Sequence, residues 1–215
     1  LDKGIDINIE NEEKFTPLNI AIFSNNIDTV KFLIKNGASI NTNDTAKISA
    51  LISSVASKNI NINIIKYLID NGADVNFKFR KRLSALYSAR NQNIEVVKLL
   101  IENGANINEI INIPNNHKFS FFKKFFYYLN NFIYGKLTLF KSAIIDNNIE
   151  LVKVFIAYEV KLDKECLLLA LRQNNIEIVK LLIKTDFYTK KDYLSVLNSN
   201  LWTESFFISK EILEL

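Results

Sequence analysis

One nine-residue phrase recurs five times along this 215-residue chain and limits its fold more than any other feature. The copy from Asn93 reads N-I-E-V-V-K-L-L-I. The other four copies begin at Asn26, Asn61, Asn148 and Asn175. Within the copy from Asn93, the apolar residues Ile94, Val97, Leu100 and Ile101 have the spacing of one helix face. A helix of about ten residues is marginal alone in water. The repeated phrase therefore predicts short helices that stack on neighbours.

A second phrase follows three of these helices and predicts how they end. It reads N-G-A-D-V-N from Asn71, with close variants in the repeats before and after. Its glycines are Gly37, Gly72 and Gly104. A helix commonly ends in a left-handed residue, a conformation that glycine adopts at little cost. We expect each of these glycines to close a helix in this way.

A third phrase, T-P-L-N-I-A from Thr16, has the features of a helix start. Threonine is a good N-cap, and Pro17 suits the first turn because its missing N–H would have no partner there. Twelve positions separate the glycine from the next cap in the pairs Gly4–Thr16, Gly37–Ser49 and Gly72–Ser84. The predicted order is thus cap, inner helix, tight turn, outer helix, glycine and a twelve-residue excursion.

These three phrases resemble the ankyrin-repeat family, whose pattern is roughly T-P-L-H-x-A, an outer helix and G-A-D-V-N. The resemblance covers residues 1–186, with Asn19 standing where the family has His. It implies an all-α solenoid of about six helix pairs forming a single domain over residues 1–215. Each excursion is then expected to be a short β-hairpin finger. Because Met is absent, we expect the sequence to be a piece of a longer protein.

Two segments near the C-terminus depart from the pattern. After the fourth outer helix the G-A-D-V-N phrase is missing, and only 27 positions separate Asn148 from Asn175, about six fewer than the family period. This predicts a direct turn around residues 159–164 without a hairpin. Residues 187–215 lack the repeat phrases and are expected to form a degenerate capping unit.

An aromatic insertion lies within residues 109–136. The spacing from Asn93 to Asn148 is 55, about 22 more than one repeat, and the surplus includes F-S-F-F-K-K-F-F-Y-Y-L-N-N-F-I-Y from Phe119. Helical spacing divides this stretch into an apolar and a polar half, which predicts an amphipathic helix within about residues 118–134. We expect its apolar face to pack on the solenoid. The expected buried residues are Phe122, Phe125, Phe126 and Leu129. A partner-binding helix and a membrane-surface helix are the alternatives.

The candidate partner-binding residues lie in two of the expected fingers. They are Lys78, Phe79, Arg80, Lys81 and Arg82 in the finger between the second and third repeats, with Asn43 and Asp44 in the preceding one. The family resemblance implies that fingertips are exposed and available for contact. The basic run is interpreted as a docking point for an acidic protein surface. A solvated loop, and a nuclear-import or nucleic-acid segment, are the alternatives.

Composition and missing motifs limit the class of function. One cysteine allows no internal disulfide and fits a reducing, cytoplasmic compartment. A net charge of +4 is far below that of a typical nucleic-acid binder, and no apolar run is long enough to span a bilayer. No catalytic motif is present, the only histidine is His117, and Cys166 has the setting of a small half-buried residue.

The sequence thus predicts a non-enzymatic protein-binding scaffold. We expect a monomer without cofactor or metal that binds a partner protein, and no nucleic acid, through its fingers and inner helices. The alternative is a regulatory or targeting module of a larger enzyme, channel or host-directed effector.

Overall fold

The computed structural model describes residues 6–42, 47–111, 137–185, 187–189 and 191–192, and ten α-helices lie within them. The chain divides into two compact units, Leu1–Asn106 and Ile107–Leu215. The first contains α1 (Pro17–Phe23), α2 (Ile27–Lys35), α3 (Ala50–Ala56), α4 (Ile62–Asp70), α5 (Ala85–Ala89) and α6 (Ile94–Glu102). The second contains α7 (Leu139–Ile145), α8 (Ile149–Ala157), α9 (Lys164–Arg172) and α10 (Ile176–Ile183). The predicted all-α repeat architecture is confirmed, while the single domain over residues 1–215 stays a prediction.

Each inner helix begins at a side chain that accepts a backbone N–H, which satisfies one of the unpaired donors of the first turn. At α1, Thr16 Oγ1 accepts from Asn19 N at 3.3 Å, and Pro17 follows at the first helical position. The capping residues of the other inner helices are Ser49, Ser84, Thr138 and Asp163. The predicted start signal is therefore confirmed at α1.

The outer helices begin at the asparagine that opens the recurring phrase. At α8, for example, Asn148 Oδ1 accepts from Leu151 N at 3.0 Å. The five asparagine caps are Asn26, Asn61, Asn93, Asn148 and Asn175. The phrase thus repeats because each copy includes both the cap and the apolar face of one helix.

The three glycines end their helices in the predicted left-handed conformation. Gly37, Gly72 and Gly104 have φ of 90°, 86° and 86°. Beyond Gly72, Ala73 N donates to Leu68 O at 3.0 Å, the bond that closes a Schellman motif. In the fourth repeat Glu159, with φ of 55°, takes the place of the glycine.

The core of each unit consists of apolar side chains between the inner and outer helices. In the first unit α3 packs against both α1 and α5, and Val30, Leu51 and Ile65 are fully buried. In the second unit the rings of Phe140 and Phe155 meet edge to face, with centroids 6.2 Å apart. Burial of these apolar faces supplies the stabilisation that one helix pair lacks.

Within each unit, asparagine side chains form a ladder of bonds on the finger side. The last residue of the N-G-A-x-x-N phrase accepts a backbone N–H from the following repeat through its Oδ1 atom. In the first unit Ser39 N donates to Asn8 at 2.7 Å, and Asp74 N donates to Asn41 at 2.8 Å. The same bond recurs at Asn76 in the first unit and at Asn108 in the second. The ladder fixes the spacing of successive repeats on the finger side.

Asn19, which departs from the family pattern, is buried and well bonded. Its Oδ1 atom accepts from Thr16 N at 3.0 Å, which completes a capping box. Its Nδ2 atom donates to Ser53 Oγ, in the next inner helix, at 2.9 Å. Asparagine therefore both caps α1 and links α1 to α3 at this position.

The excursion between α8 and α9 lacks a hairpin, as the short spacing predicts. Asp163 caps α9 only four positions after Glu159, whereas twelve positions separate Gly37 from Ser49 and Gly72 from Ser84. No β-bridge involves residues 158–163, all of which the structure describes. Helix α9 has nine residues, two more than α1, α3 and α7. It therefore includes residues that would otherwise belong to the excursion before it.

The aromatic insertion replaces the tip of a finger. Ile111 N donates to Leu137 O at 2.8 Å, and Ile110 forms an antiparallel bridge with Thr138. Phe79 N donates to Leu83 O at 3.0 Å in the equivalent place, so the 25 residues 112–136 stand where the other finger has three. The predicted helix and its apolar face lie outside the described residues.

Beyond α10 the structure describes the beginning of one more element. Tyr188 is buried, and its hydroxyl donates to Asp163 O at 2.7 Å. Thr189 N donates to Asp192 Oδ2 at 2.9 Å, and Asp192 N donates to Thr189 Oγ1 at 3.3 Å, the reciprocal pair of a capping box. The rest of the predicted capping unit lies outside the described residues.

Candidate functional site

The finger between α4 and α5 ends in a tight turn of basic residues. Phe79 and Leu83 exchange two backbone hydrogen bonds of 3.0 Å, and Arg82 N donates to Phe79 O at 3.1 Å. Arg80 and Lys81 have φ of 51° and 58°, both in the left-handed region. Two consecutive left-handed residues are the mark of a type I′ turn, which asparagine and glycine normally supply. For other residues this conformation costs roughly 1–2 kcal/mol each.

The same turn presents its charges to solvent. Arg80, Lys81 and Arg82 are exposed, whereas Lys78 and Phe79 are half-buried. The Arg80 guanidinium lies 5.0 Å from the centre of the Phe79 ring, within the range of a cation–π contact. We call residues 78–82 the basic fingertip.

The first finger has a similar hairpin bond but the opposite charge. Asn11 N donates to Phe15 O at 3.0 Å, and Lys14 is left-handed with φ of 67°. Glu12 and Glu13 are exposed at the tip. We call residues 10–14 the acidic fingertip.

A groove of about 560 Å³ runs beside the acidic fingertip. Its walls come from the first two fingers and from the first turns of α1 and α3. Glu10 lies in this lining and forms ion pairs with Lys47 and, at 3.9 Å, with Lys14. Most of the side chains that line this groove are polar.

The predicted site residues are only partly described. Lys78, Phe79, Arg80, Lys81 and Arg82 lie together in one turn. Asn43 and Asp44 lie outside the described residues. The structure therefore places one of the two predicted contact points.

A buried ion pair in the second unit has no counterpart in the sequence-based prediction. The Lys141 side chain is 3% exposed, and its Nζ lies 2.7 Å from Asp163 Oδ2 and also pairs with Glu165. Burial lowers the pKa of this ammonium, but the hydrogen bonds and charges of the two carboxylates outweigh burial, so the pKa is raised. Lys141 lies three residues after its cap, like Asn19. Its two carboxylates lie at the start of α9, where the finger between α8 and α9 is missing.

Cys166 is buried beside this ion pair. Burial first, with the nearby charge of Asp163, raises the pKa of its thiol to about 12, so almost no thiolate forms at neutral pH. Its Sγ lies 3.2 Å from Asp163 Oδ1. The buried, protonated thiol therefore has the setting of a packing residue, not of a reactive one. His117 lies outside the described residues.

Neither a metal-binding cluster nor a membrane-spanning helix is present among the described residues. No group of three or more His, Cys, Asp or Glu side chains there could hold a metal ion. No helix in the same residues has both the length and the apolar character needed to cross a bilayer.

Comparison with known proteins gives the family. The model for ankyrin repeats matches three copies, over residues 1–44 and 41–111. No curated protein matches the chain significantly. Ankyrin repeats are generally protein–protein interaction modules. The match covers just over half of the chain, and its residues form capped helix pairs closed by left-handed glycines. The chain therefore belongs to the ankyrin-repeat family.

Proposed function

We propose that this chain is a non-enzymatic scaffold that binds a partner protein through its fingers and inner helices. In this proposal the basic fingertip contacts an acidic surface of the partner. The left-handed backbone at Arg80 and Lys81 is the observation that carries it. A turn meant only to connect two helices would be more stable with asparagine and glycine at these positions.

The geometry suits a docking point. Strained backbone is retained where function requires the side chains that it presents. The two hairpin hydrogen bonds hold the turn before binding, so less conformational entropy is lost when a partner docks. Exposed charges raise the association rate and the specificity of binding, and salt screens them.

The single cysteine bears on the cellular setting. Cys166, the one cysteine of the chain, is free and buried, which fits a reducing, cytoplasmic compartment. We propose that the protein acts there as a monomer. Within a larger enzyme, channel or host-directed effector, the same surface would serve as a targeting or regulatory module.

A variant that keeps the turn and removes two of its three exposed charges tests the proposal. Arg80→Asn with Lys81→Gly supplies the residues that a type I′ turn prefers, so the melting temperature should stay the same or rise. Binding of a deca-glutamate peptide, measured by the shifts of amide resonances in residues 78–83, should be lost. Proteins captured from a lysate should include at least one that this variant no longer retains.

Lys14→Gly is the matched control, because it relieves a left-handed residue in the other finger without touching the basic fingertip. It should leave both binding measurements unchanged. If the Arg80/Lys81 variant binds the peptide and captures every protein as the unmodified chain does, the fingertip is a solvated loop.

A further inference from the structure

The two described fingers of the first unit end in hairpin turns of opposite charge. The acidic fingertip carries Glu12 and Glu13, and neither forms an ion pair with another described residue. The basic fingertip carries Arg80, Lys81 and Arg82, all exposed. Because both turns belong to one compact unit, a single partner segment could meet both.

From this arrangement we propose that the first unit recognises a dipolar polypeptide segment, acidic at one end and basic at the other. The inference rests on the proposed function and specifies its partner. The acidic end of the segment pairs with the basic fingertip, and the basic end pairs with Glu12 and Glu13. A uniformly acidic partner would bind more weakly, because any part of it that reached the first finger would be repelled.

The repeat spacing sets the length of that segment. Neighbouring helices pack about 10 Å apart, so fingertips two repeats apart are separated by about 20 Å. The asparagine ladder keeps this spacing, since Asn8 and Asn41 each bond to the repeat that follows. An extended chain advances about 3.3 Å per residue, so about six residues separate its two charged ends.

Contacts and exposed side chains of the first unit indicate which residues the partner segment has at its basic end and in its middle. Glu10 already binds the ammonium groups of Lys47 and Lys14, which shows that carboxylates of the first finger accept lysine. Ile9 is 57% exposed and Leu83 is 36% exposed, one beside each turn. Aliphatic residues just inside the charged ends of the segment would cover these side chains.

A series of synthetic peptides tests the proposal with the whole 215-residue chain. Each labelled peptide has three glutamates, a spacer with leucine at both ends, and three lysines, and the spacer has two, six or ten residues. Control peptides carry glutamates at both ends. Fluorescence anisotropy should show the six-residue spacer binding about tenfold more tightly than the two-residue spacer and than the uniformly acidic control.

Charge reversal identifies the two contacts separately. Binding of the dipolar peptide should become about tenfold weaker in the variant Arg80→Glu with Lys81→Glu and Arg82→Glu. The same loss is expected for Glu12→Lys with Glu13→Lys. All five changes together should restore binding, because the peptide then binds in the opposite direction. Glu12→Gln with Glu13→Gln is a milder variant in case the reversed finger does not fold, and circular dichroism checks each protein.

The outcomes separate this inference from the proposed function. Equal binding of the uniformly acidic peptide, with no effect of the Glu12 and Glu13 variants, overturns the dipolar segment but leaves the basic fingertip as the contact. Insensitivity of every peptide to reversal of Arg80, Lys81 and Arg82 overturns the proposed function as well.

Discussion

At Glu159 a residue with a Cβ atom occupies the left-handed position that glycine fills in the first three repeats. The surrounding hydrogen bonds are kept, since Glu159 N donates to Ile156 O and Val160 N to Phe155 O, both at 3.0 Å. Glu159→Gly should therefore stabilise the protein by about 1 kcal/mol, because the backbone is already in a conformation that glycine prefers. For a chain of this size that corresponds to a rise of about 2–4 °C in melting temperature.

The converse change is the control for that prediction. Gly104 has the same place in its motif, with φ of 86° and no atom within 4 Å of an added Cβ. Gly104→Glu should lower the melting temperature through backbone strain alone. If Glu159→Gly left the melting temperature unchanged while Gly104→Glu lowered it, other contacts of the glutamate must offset its strain.

The Lys141 ion pair predicts an asymmetry between its partners. Asp163→Asn with Glu165→Gln should destabilise the fold by about 3 kcal/mol, because a buried ammonium then loses both carboxylates. Asparagine at position 163 preserves the cap of α9, so the loss reports on charge. Lys141→Met should cost less than about 1 kcal/mol, since the carboxylates are 48% and 38% exposed and water can solvate them. Denaturant titration of both variants measures the difference; equal losses would contradict this account.

The same ion pair predicts how the free energy of unfolding changes with pH. The folded pKa of Lys141 is raised above 10.5, so its stabilising contribution is complete below that pH. The contribution is lost as the pH rises through the folded value. Unfolding free energies should therefore fall more steeply above pH 10.5 in the unmodified chain than in Lys141→Met.

At the scale of elements, the role of the aromatic insertion can be tested by replacing it, because its two ends already lie side by side. Replacing residues 112–136 by Asn-Gly-Lys should keep the bond from Ile111 N to Leu137 O and close an ordinary three-residue fingertip. The sequence predicts a helix with a buried aromatic face in this segment, and each buried phenylalanine contributes roughly 1.5–3 kcal/mol. We therefore expect the replacement to lower the melting temperature by several degrees.

A replacement that leaves the melting temperature unchanged would give the insertion a different role. An unchanged melting temperature, together with loss of a partner or of binding to anionic vesicles, would make the aromatic face a binding element. An equally long replacement of glycine and serine is the matched control, since it changes the composition without changing the length.

At the scale of the whole molecule, the helix pairs predict the spectroscopic signature. Far-ultraviolet circular dichroism should be dominated by helix, because among the described residues the only β pairing is two isolated bridges. A spectrum showing mainly strand would contradict the repeat architecture.

The buried thiol reports on the integrity of the second unit. Cys166 is the one cysteine, and its pKa is raised to about 12 by burial. A thiol-specific disulfide reagent at pH 8 should react hardly at all with the folded protein and fully in concentrated guanidinium. Rapid reaction without denaturant would show that this region opens readily.

The sequence by itself determined the repeat units, because the signals that define them are local. A cap, an apolar stripe and a left-handed glycine act within about ten residues, so Thr16, Gly72 and the Asn93 phrase each specify their own structure. The missing finger between α8 and α9 could be predicted for the same reason, since a hairpin needs residues that are not present. The basic fingertip was identified by composition and by the family pattern.

The tertiary structure decided which residues from different repeats meet. Asn19 bonds to Ser53, 34 positions further along the chain. Lys141 pairs with Asp163 and Glu165 at the start of α9, the helix whose preceding finger is missing. The left-handed turn at Arg80 and Lys81 has no local sequence signal, since neither residue favours that backbone. Side-chain pairing between repeats depends on how the units stack, and that stacking arises from buried surface that no single repeat contains.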